Sequence, residues 1–193
     1  MEVKTALEVP CVYFPRHGPD NTDETLRIAK KRAEELGIRT IVLATTQGST
    51  ALKAVRFFQG YRVVCVTHAT GFKTANEQGV PPEAQQAIRE AGGLIHIGTH
   101  SFAGIGRAVR RKFQTSLTED IIASTLRVMG QGMKVVCEVA MMAADAGLVR
   151  TDEEVIAIAG SGRGADTAVV LQPVNTQDFF NLRVKEILCK PRL

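Results

Sequence analysis

Thr40-Ile41-Val42-Leu43-Ala44-Thr45-Thr46-Gln47-Gly48-Ser49-Thr50 is the stretch that decides the fold. From Ile38 to Ala44 the side chains are mostly aliphatic and β-branched without polar alternation, the pattern of a strand buried on both faces. The strand runs into a hydroxyl-rich turn with a glycine. Ser49 to Phe58 then predicts a helix, closed by Gly60. Arg62 to Thr67 predicts the next strand, so strand, helix and strand alternate as in a βαβ unit, which implies a parallel sheet.

The alternation extends both ways. Upstream, Cys11 to Phe14 predicts a short strand stopped by Pro15. Asn21 with Glu24 predicts a capping box for a helix whose stripe is Leu26, Ala29, Ala33 and Leu36, ended by Gly37. Downstream, Pro82 to Ala91 predicts a helix with proline in its first turn, and Leu94 to Ile97 a strand. Thr118 is expected to cap a helix to Met129, with Glu119 and Asp120 at the positive end of its dipole. Met133 to Ala146 predicts another helix, with Val136, Val139, Ala140 and Ala143 at helical spacing. Val155 to Ala159, Ala168 to Leu171 and Leu182 to Leu188 predict strands, at least one of them antiparallel. The expected class is α/β: a three-layer α/β/α sandwich with a mostly parallel sheet and an antiparallel edge strand, one domain over residues 1–193.

Composition fits a folded globular chain, with 45% hydrophobic and 23% charged residues. No apolar run approaches the ~20 residues of a bilayer span. The N-terminal Met1-Glu2-Val3-Lys4 lacks the apolar core of a secretory signal, so a cytoplasmic protein is expected. Cys11, Cys65, Cys137 and Cys189 are scattered in apolar stretches, as small buried hydrophobes rather than a disulfide framework. A net charge of +4 is mild. The one basic cluster, Arg107, Arg110, Arg111 and Lys112, reads as a solvated helix face; with few aromatics to stack bases, neither a nucleic acid nor a membrane is an expected partner. The segment Val139 to Met142 could support a homo-oligomer, although core packing accounts for it. Asp145 and Asp152 to Glu154 read as a solvated turn.

In an open parallel sheet, ligands bind beyond the carboxyl ends of the strands. Three loop groups are expected there. Thr45, Thr46, Gln47, Gly48, Ser49 and Thr50 combine a tight turn, four hydroxyls and free helix-start amides, which suits a phosphate better than a plain Ser49 cap would require. Gly160, Ser161, Gly162, Arg163 and Gly164 let backbone approach a ligand and add a guanidinium; a flexible hairpin is the plainer reading. His68, Gly71 and Phe72, with Gly98, Thr99, His100 and Phe102, bring imidazoles and phenyl rings to one edge, a mixture suited to a planar ligand. No dinucleotide fingerprint, P-loop lysine or G-x-S-x-G occurs. Cys65 with His68, or His96 with His100, is short of a four-ligand zinc site.

Two stretches carry a family resemblance. The first runs through Ala33-Glu34-Glu35-Leu36-Gly37, Thr40 to Ala44, Thr46-Gln47-Gly48-Ser49-Thr50-Ala51 and Arg62 to Thr67. The second runs from Ala143-Ala144-Asp145-Ala146-Gly147-Leu148-Val149 through Val155 to Gly160. Both resemble the C-terminal α/β domain of pyruvate kinase; residues 72–117 depart from it. The resemblance implies a domain without catalytic residues that in several kinases binds a sugar-phosphate effector, here through Thr46, Gly48, Ser49, Thr50 and Gly160 to Gly164. It also implies no pyruvate kinase activity, because the catalytic barrel takes ~250 residues. The chain looks still more like small stand-alone archaeal-type proteins of this fold, for which the implied ligand is a small phosphorylated molecule such as flavin mononucleotide (FMN). Two alternatives follow from it: a flavin-dependent oxidoreductase, or a sugar-phosphate-sensing regulatory or assembly module.

Overall fold

The computed structural model describes residues 6–192; the N-terminal Met1 to Lys4 stretch lies outside them. Seven strands form one sheet: β1 (Val12–Phe14), β2 (Thr40–Ala44), β3 (Arg62–His68), β4 (Leu94–Gly98), β5 (Val155–Ala159), β6 (Thr167–Gln172) and β7 (Arg183–Pro191). Their spatial order is β1-β7-β6-β5-β2-β3-β4. β5, β2, β3 and β4 pair parallel, as do β1 and β7; β6 runs against both its neighbours and supplies the antiparallel strand on that flank of the sheet.

The described residues form six α-helices, α1 (Thr22–Leu36), α2 (Ser49–Phe57), α3 (Pro82–Glu90), α4 (Gly106–Phe113), α5 (Thr118–Arg127) and α6 (Gln131–Asp145), and all but α4 pack on the two faces of the sheet. Strand side chains alternate between two cores because the pleat has period two. Ile41, Leu43, Cys65, Ile156 and Ile158 pack against α1, α2 and α3, whereas Val42, Val64, Val66, Ala157 and Ala159 pack against α5 and α6. The result is the three-layer α/β/α sandwich the sequence predicts. Helix α6 is buried over most of its circumference, and Val139 to Met142 belong to the core rather than to a free face. Cys65, Cys137 and Cys189 are buried and all four cysteines are free thiols; burial pushes Cys65 up to about 12. Among the described residues no helix is long and apolar enough to cross a membrane.

The helix starts differ from the expected caps. Asn21 does not cap α1 with its side chain: Pro19–Asn21 forms a 3₁₀ turn, and the Asn21 amide donates to the carbonyl oxygens of Arg16 and Gly18. Thr118 is the first residue of α5, not its cap; the Leu117 N–H is held by the Asp120 carboxylate at 3.1 Å. Ser49 likewise lies inside α2, whose cap is Gly48 at φ +91° with its N–H donated to Thr45 Oγ1. A residue with φ in that range is almost always glycine, so the turn geometry displaces the hydroxyl cap by one position.

Chain order places the site. From β2 the chain moves outward through β3 to β4, then returns by α4, α5 and α6 to β5 on the other side of β2. The strand order therefore reverses between β2 and β5, and the two crossovers leave on opposite faces. At such a switch point the loops diverge and a crevice opens past the strand ends.

Candidate functional site

A cavity of about 490 Å³ occupies this crevice. Its floor is the carboxyl ends of β2 and β3, with Thr45 and Thr46 from the first loop and Val66, Thr67 and His68 from the second. The start of the β5–β6 loop adds Gly160, Gly162 and Gly164, and the wall toward α6 is Gln131, Lys134, Val135 and Glu138. Helix α6 begins at this rim because it runs antiparallel to the strand it precedes, so its first turn faces the strand ends.

The expected loop groups meet here in part. Thr45, Thr46, Thr50, His68, Phe72, His100, Phe102, Gly160, Gly162 and Gly164 line the cavity; Gln47, Gly48, Ser49, Gly71, Gly98, Thr99, Ser161 and Arg163 do not. Gly48 is turned away because α3 packs on it: a Cβ there would stand 3.0 Å from both Val80 Cγ1 and Ala84 Cβ. Gln47, Ser49 and Arg163 are exposed. The anion role expected of the glycine loop is partly taken internally. Asp166, fully buried, accepts the Ser161 N–H at 3.2 Å and the Gly18 N–H at 3.1 Å, so a carboxylate of the chain itself fills the backbone nest. The loop is in turn clamped to α1, with Gly164 at φ +71° and the Ala165 N–H bonded to Thr22 Oγ1 at 3.0 Å.

A buried charged chain runs along the inner wall. Glu138, 1% exposed, receives the Lys134 ammonium one turn earlier on α6, the Phe102 N–H at 3.3 Å and His100 Nδ1 at 3.1 Å. His100 Nε2 stands 2.6 Å from His68 Nδ1. Burial alone raises a carboxyl, but here the hydrogen bond from His100 and the charge of Lys134 outweigh it and hold Glu138 down at about 2. Burial lowers Lys134 below the usual ammonium range. His68 is pushed down to about 4 by burial, with the neighbouring His100 and Lys73 adding to the effect.

Phe72 covers this pair of imidazoles. Its ring stacks on His68 at 4.2 Å between centroids and on His100 at 4.8 Å, within 13° of parallel to each. The Arg107 guanidinium lies over the same ring at 4.0 Å, close enough for a cation–π contact. The rings expected to hold a planar ligand therefore hold one another, and both faces of Phe72 are taken.

Five cations line the cavity, Lys73, Arg107, Arg110, Arg127 and Lys134, against two carboxylates, Asp120 and Glu138. Arg110 pairs with Asp120 and Lys134 with Glu138. Among the described residues, Lys73, Arg107 and Arg127 have no carboxylate within ion-pair distance. Arg107 and Arg110 line the cavity rather than forming only the expected solvated face, although the Arg110 side chain stays 43% exposed. The Thr67 hydroxyl, itself shielded from solvent, has no hydrogen-bond partner among the described residues. A buried hydroxyl left unpaired costs about 1–3 kcal/mol, so this one lowers the stability of the β3 end that floors the cavity.

The sequence reasoning missed Lys134 and Glu138. Their signal was available: they are the only charged residues between Arg127 and Asp145, they stand four apart, and the helix around them is apolar. Charges at i and i+4 within a helix buried nearly all round must pair or neutralise.

Residues 23–171 match the family described as "Pyruvate kinase, alpha/beta domain". Among solved structures, the chain is similar to a pyruvate kinase from Cryptosporidium parvum at 14% identity and a TM-score of 0.42, covering 79% of this chain and 23% of that one. A Cryptosporidium parvum pyruvate kinase in complex with ADP gives 14% identity and a TM-score of 0.39, covering 87% of this chain and 24% of that one. The chain thus spans about a quarter of the length of either.

Proposed function

Since the chain belongs to the pyruvate kinase α/β domain family, we propose that its rim cavity binds a small phosphorylated ligand. The observation that carries this reading is the gathering, in one switch-point crevice, of three cations that have no carboxylate partner among the described residues, Lys73, Arg107 and Arg127. Lys73, Arg107 and Arg127 supply charge-assisted donors, worth about 1.5–3 kcal/mol each when they meet an anion. Thr46 and Thr50 line the same cavity and add hydroxyls.

FMN meets the phosphate half of this reading. Its ring finds no free face on Phe72, so it would have to lie on the far side of the imidazole pair or displace Arg107. Redox chemistry is therefore not part of the proposed function, and FMN enters as one probe beside fructose bisphosphate and inorganic phosphate. A cytoplasmic setting, where phosphate esters are abundant, belongs to the same proposal.

Thermal melting tests it. At ligand 100-fold above Kd the linkage is about 2.7 kcal/mol, and at about 2–4 °C per kcal/mol for a chain of this size the melting temperature rises by about 5–11 °C. A rise with any phosphorylated probe, lost in Arg107→Ala, supports the reading. No rise with any of them at millimolar concentration refutes it.

A further inference from the structure

The imidazole pair has a feature that phosphate binding alone does not use: its hydrogen bonds run in one line from buried Glu138 through His100 to His68 at the cavity. Glu138 is ionised and can only accept, so His100 Nδ1 must donate to it. When His100 Nε2 is the acceptor of the 2.6 Å contact, the His68 proton is on Nδ1. The remaining ring nitrogen, His68 Nε2, then carries a lone pair and makes no hydrogen bond among the described residues, on a ring that lines the cavity. One added proton reverses this. It enters at Nε2, and the Nδ1 proton either stays or crosses 2.6 Å to His100 Nε2, bringing the positive charge beside Glu138. Whichever ring holds the charge, His68 Nε2 has become a donor.

We propose that Glu138, His100 and His68 form a proton relay opening on the rim cavity, so that the site takes up its anionic ligand together with one proton. This rests on the reading of the cavity as a phosphate site. The proton comes from solvent, moves onto His68 Nε2 as the ligand arrives, and leaves with it; no bond other than N–H is made or broken.

The neighbourhood fixes the direction. His68 is faced by His100 from the loop after β4, by Glu138 and Lys134 from α6, by Arg107 from α4 and by Lys73 from its own loop. In the free protein burial and the nearby cations hold it unprotonated, at about 4. A dianion bound against Lys73 and Arg107 cancels those cations and adds negative charge. Protonation at pH 7 then requires about a thousandfold gain in proton affinity, three units, which is within the range by which buried charges move one another.

Sulfate is the probe, because unlike phosphate it does not itself titrate near neutrality. Calorimetric titration at pH 7 in two buffers of different ionisation enthalpy should give uptake of 0.5 to 1 proton per sulfate (about, from the shift just given). Affinity should tighten as pH falls from 8 to 6, by up to about tenfold per unit. His68→Gln should still bind sulfate but without the buffer dependence. Nitrogen NMR of the free protein at pH 7.5 should show both imidazoles with the proton on Nδ1. Sulfate binding with no proton uptake overturns the relay and leaves the anion site standing. Failure of both sulfate and phosphate to bind overturns both. A proton on Nε2 of His68 in the free protein, or uptake that persists in His68→Gln, overturns the relay alone.

Discussion

Replacing Glu138 by Gln tests the electrostatics on which the site depends, with almost no change in side-chain volume. Three donors converge on this carboxylate: the Lys134 ammonium, the Phe102 N–H and His100 Nδ1. An amide keeps one acceptor oxygen and turns the other position into a donor, which then faces a donor. Lys134, 6% exposed, is left as an uncompensated buried charge. Breaking such a pair from one side costs about 3–5 kcal/mol, a large part of a total stability of roughly 5–15 kcal/mol. With an m-value near 2–3 kcal/mol/M, the urea midpoint should fall by about 1–2 M at pH 7. The pH dependence carries its own sign. The folded carboxyl is held at about 2, below its unfolded value of 4.5, so its contribution is complete above pH 4.5 and lost as pH falls toward 2. Wild type and variant should therefore converge in acid. At the other end, Lys134 sits below its unfolded value, so in the variant stability should rise as alkali removes that proton. The double change Lys134→Met with Glu138→Leu removes both charges and should recover most of the loss, as apolar replacement of buried pairs does. A single variant within about 1 kcal/mol of wild type, a gap unchanged from pH 6 to pH 3, or a double variant no more stable than the single one would refute this account.

Other substitutions probe separate features. Thr67→Val removes a buried hydroxyl that has no partner among the described residues, so the free protein should be as stable or more stable by about 1 kcal/mol in urea melts, with sulfate affinity little changed because that oxygen is shielded from the cavity. His68 has a folded value near 4 against 6.5 unfolded, so the unfolded chain takes up a proton that the folded chain refuses, and wild type should lose stability as pH falls from 6.5 to 4. In His68→Gln, thermal melts over that range should lose this slope. Gly164→Ala places a Cβ 2.4 Å from Pro19 Cα at φ +71° and should cost about 2–5 kcal/mol of backbone strain and overpacking. Gly37→Ala, at φ +70° with nothing within 4 Å, should cost only about 1 kcal/mol. The contrast between the two urea midpoints isolates the steric part.

The fold was legible because each β-strand of the parallel half is a short aliphatic run bounded by turn residues, and those runs alternate with helix-period segments. Ile41, Val42 and Leu43 need no partner information to be read as a strand covered on both faces, and two covered faces require helices on both sides. The order β5-β2-β3-β4 was not legible. Nothing local in Val155 to Ala159 says that this strand returns beside β2 rather than continuing past β4. That return creates the crevice, so the position of the rim could be read in general terms while the identity of its walls could not.

The same distinction explains which candidate residues reached the cavity. Thr45 and Thr46 follow directly on β2 and His68 ends β3, so the strands place them, whereas His100, two residues past β4, is held by its bond to Glu138. Ser161 and Arg163 lie two and four residues past β5, where the chain's course is set by Asp166 and the start of α1. A loop rich in glycine is read from sequence as open backbone awaiting an anion, yet glycine is equally what lets a nearby carboxylate of the same chain approach. The deciding residue, Asp166, sits beside the apolar run of β6 with no motif to mark it. The proposed anion site consequently lies away from the glycine loop, toward α4 and α6, where Arg107 and Lys134 stand on helices rather than on a turn. There the carboxylate that balances the charge, Glu138, is joined through two imidazoles to the space a ligand would occupy. Charge neutralisation in that wall and the protonation of the ligand's surroundings are therefore one equilibrium, which is why removing Glu138 should alter both the stability of the protein and the pH dependence of anything it binds.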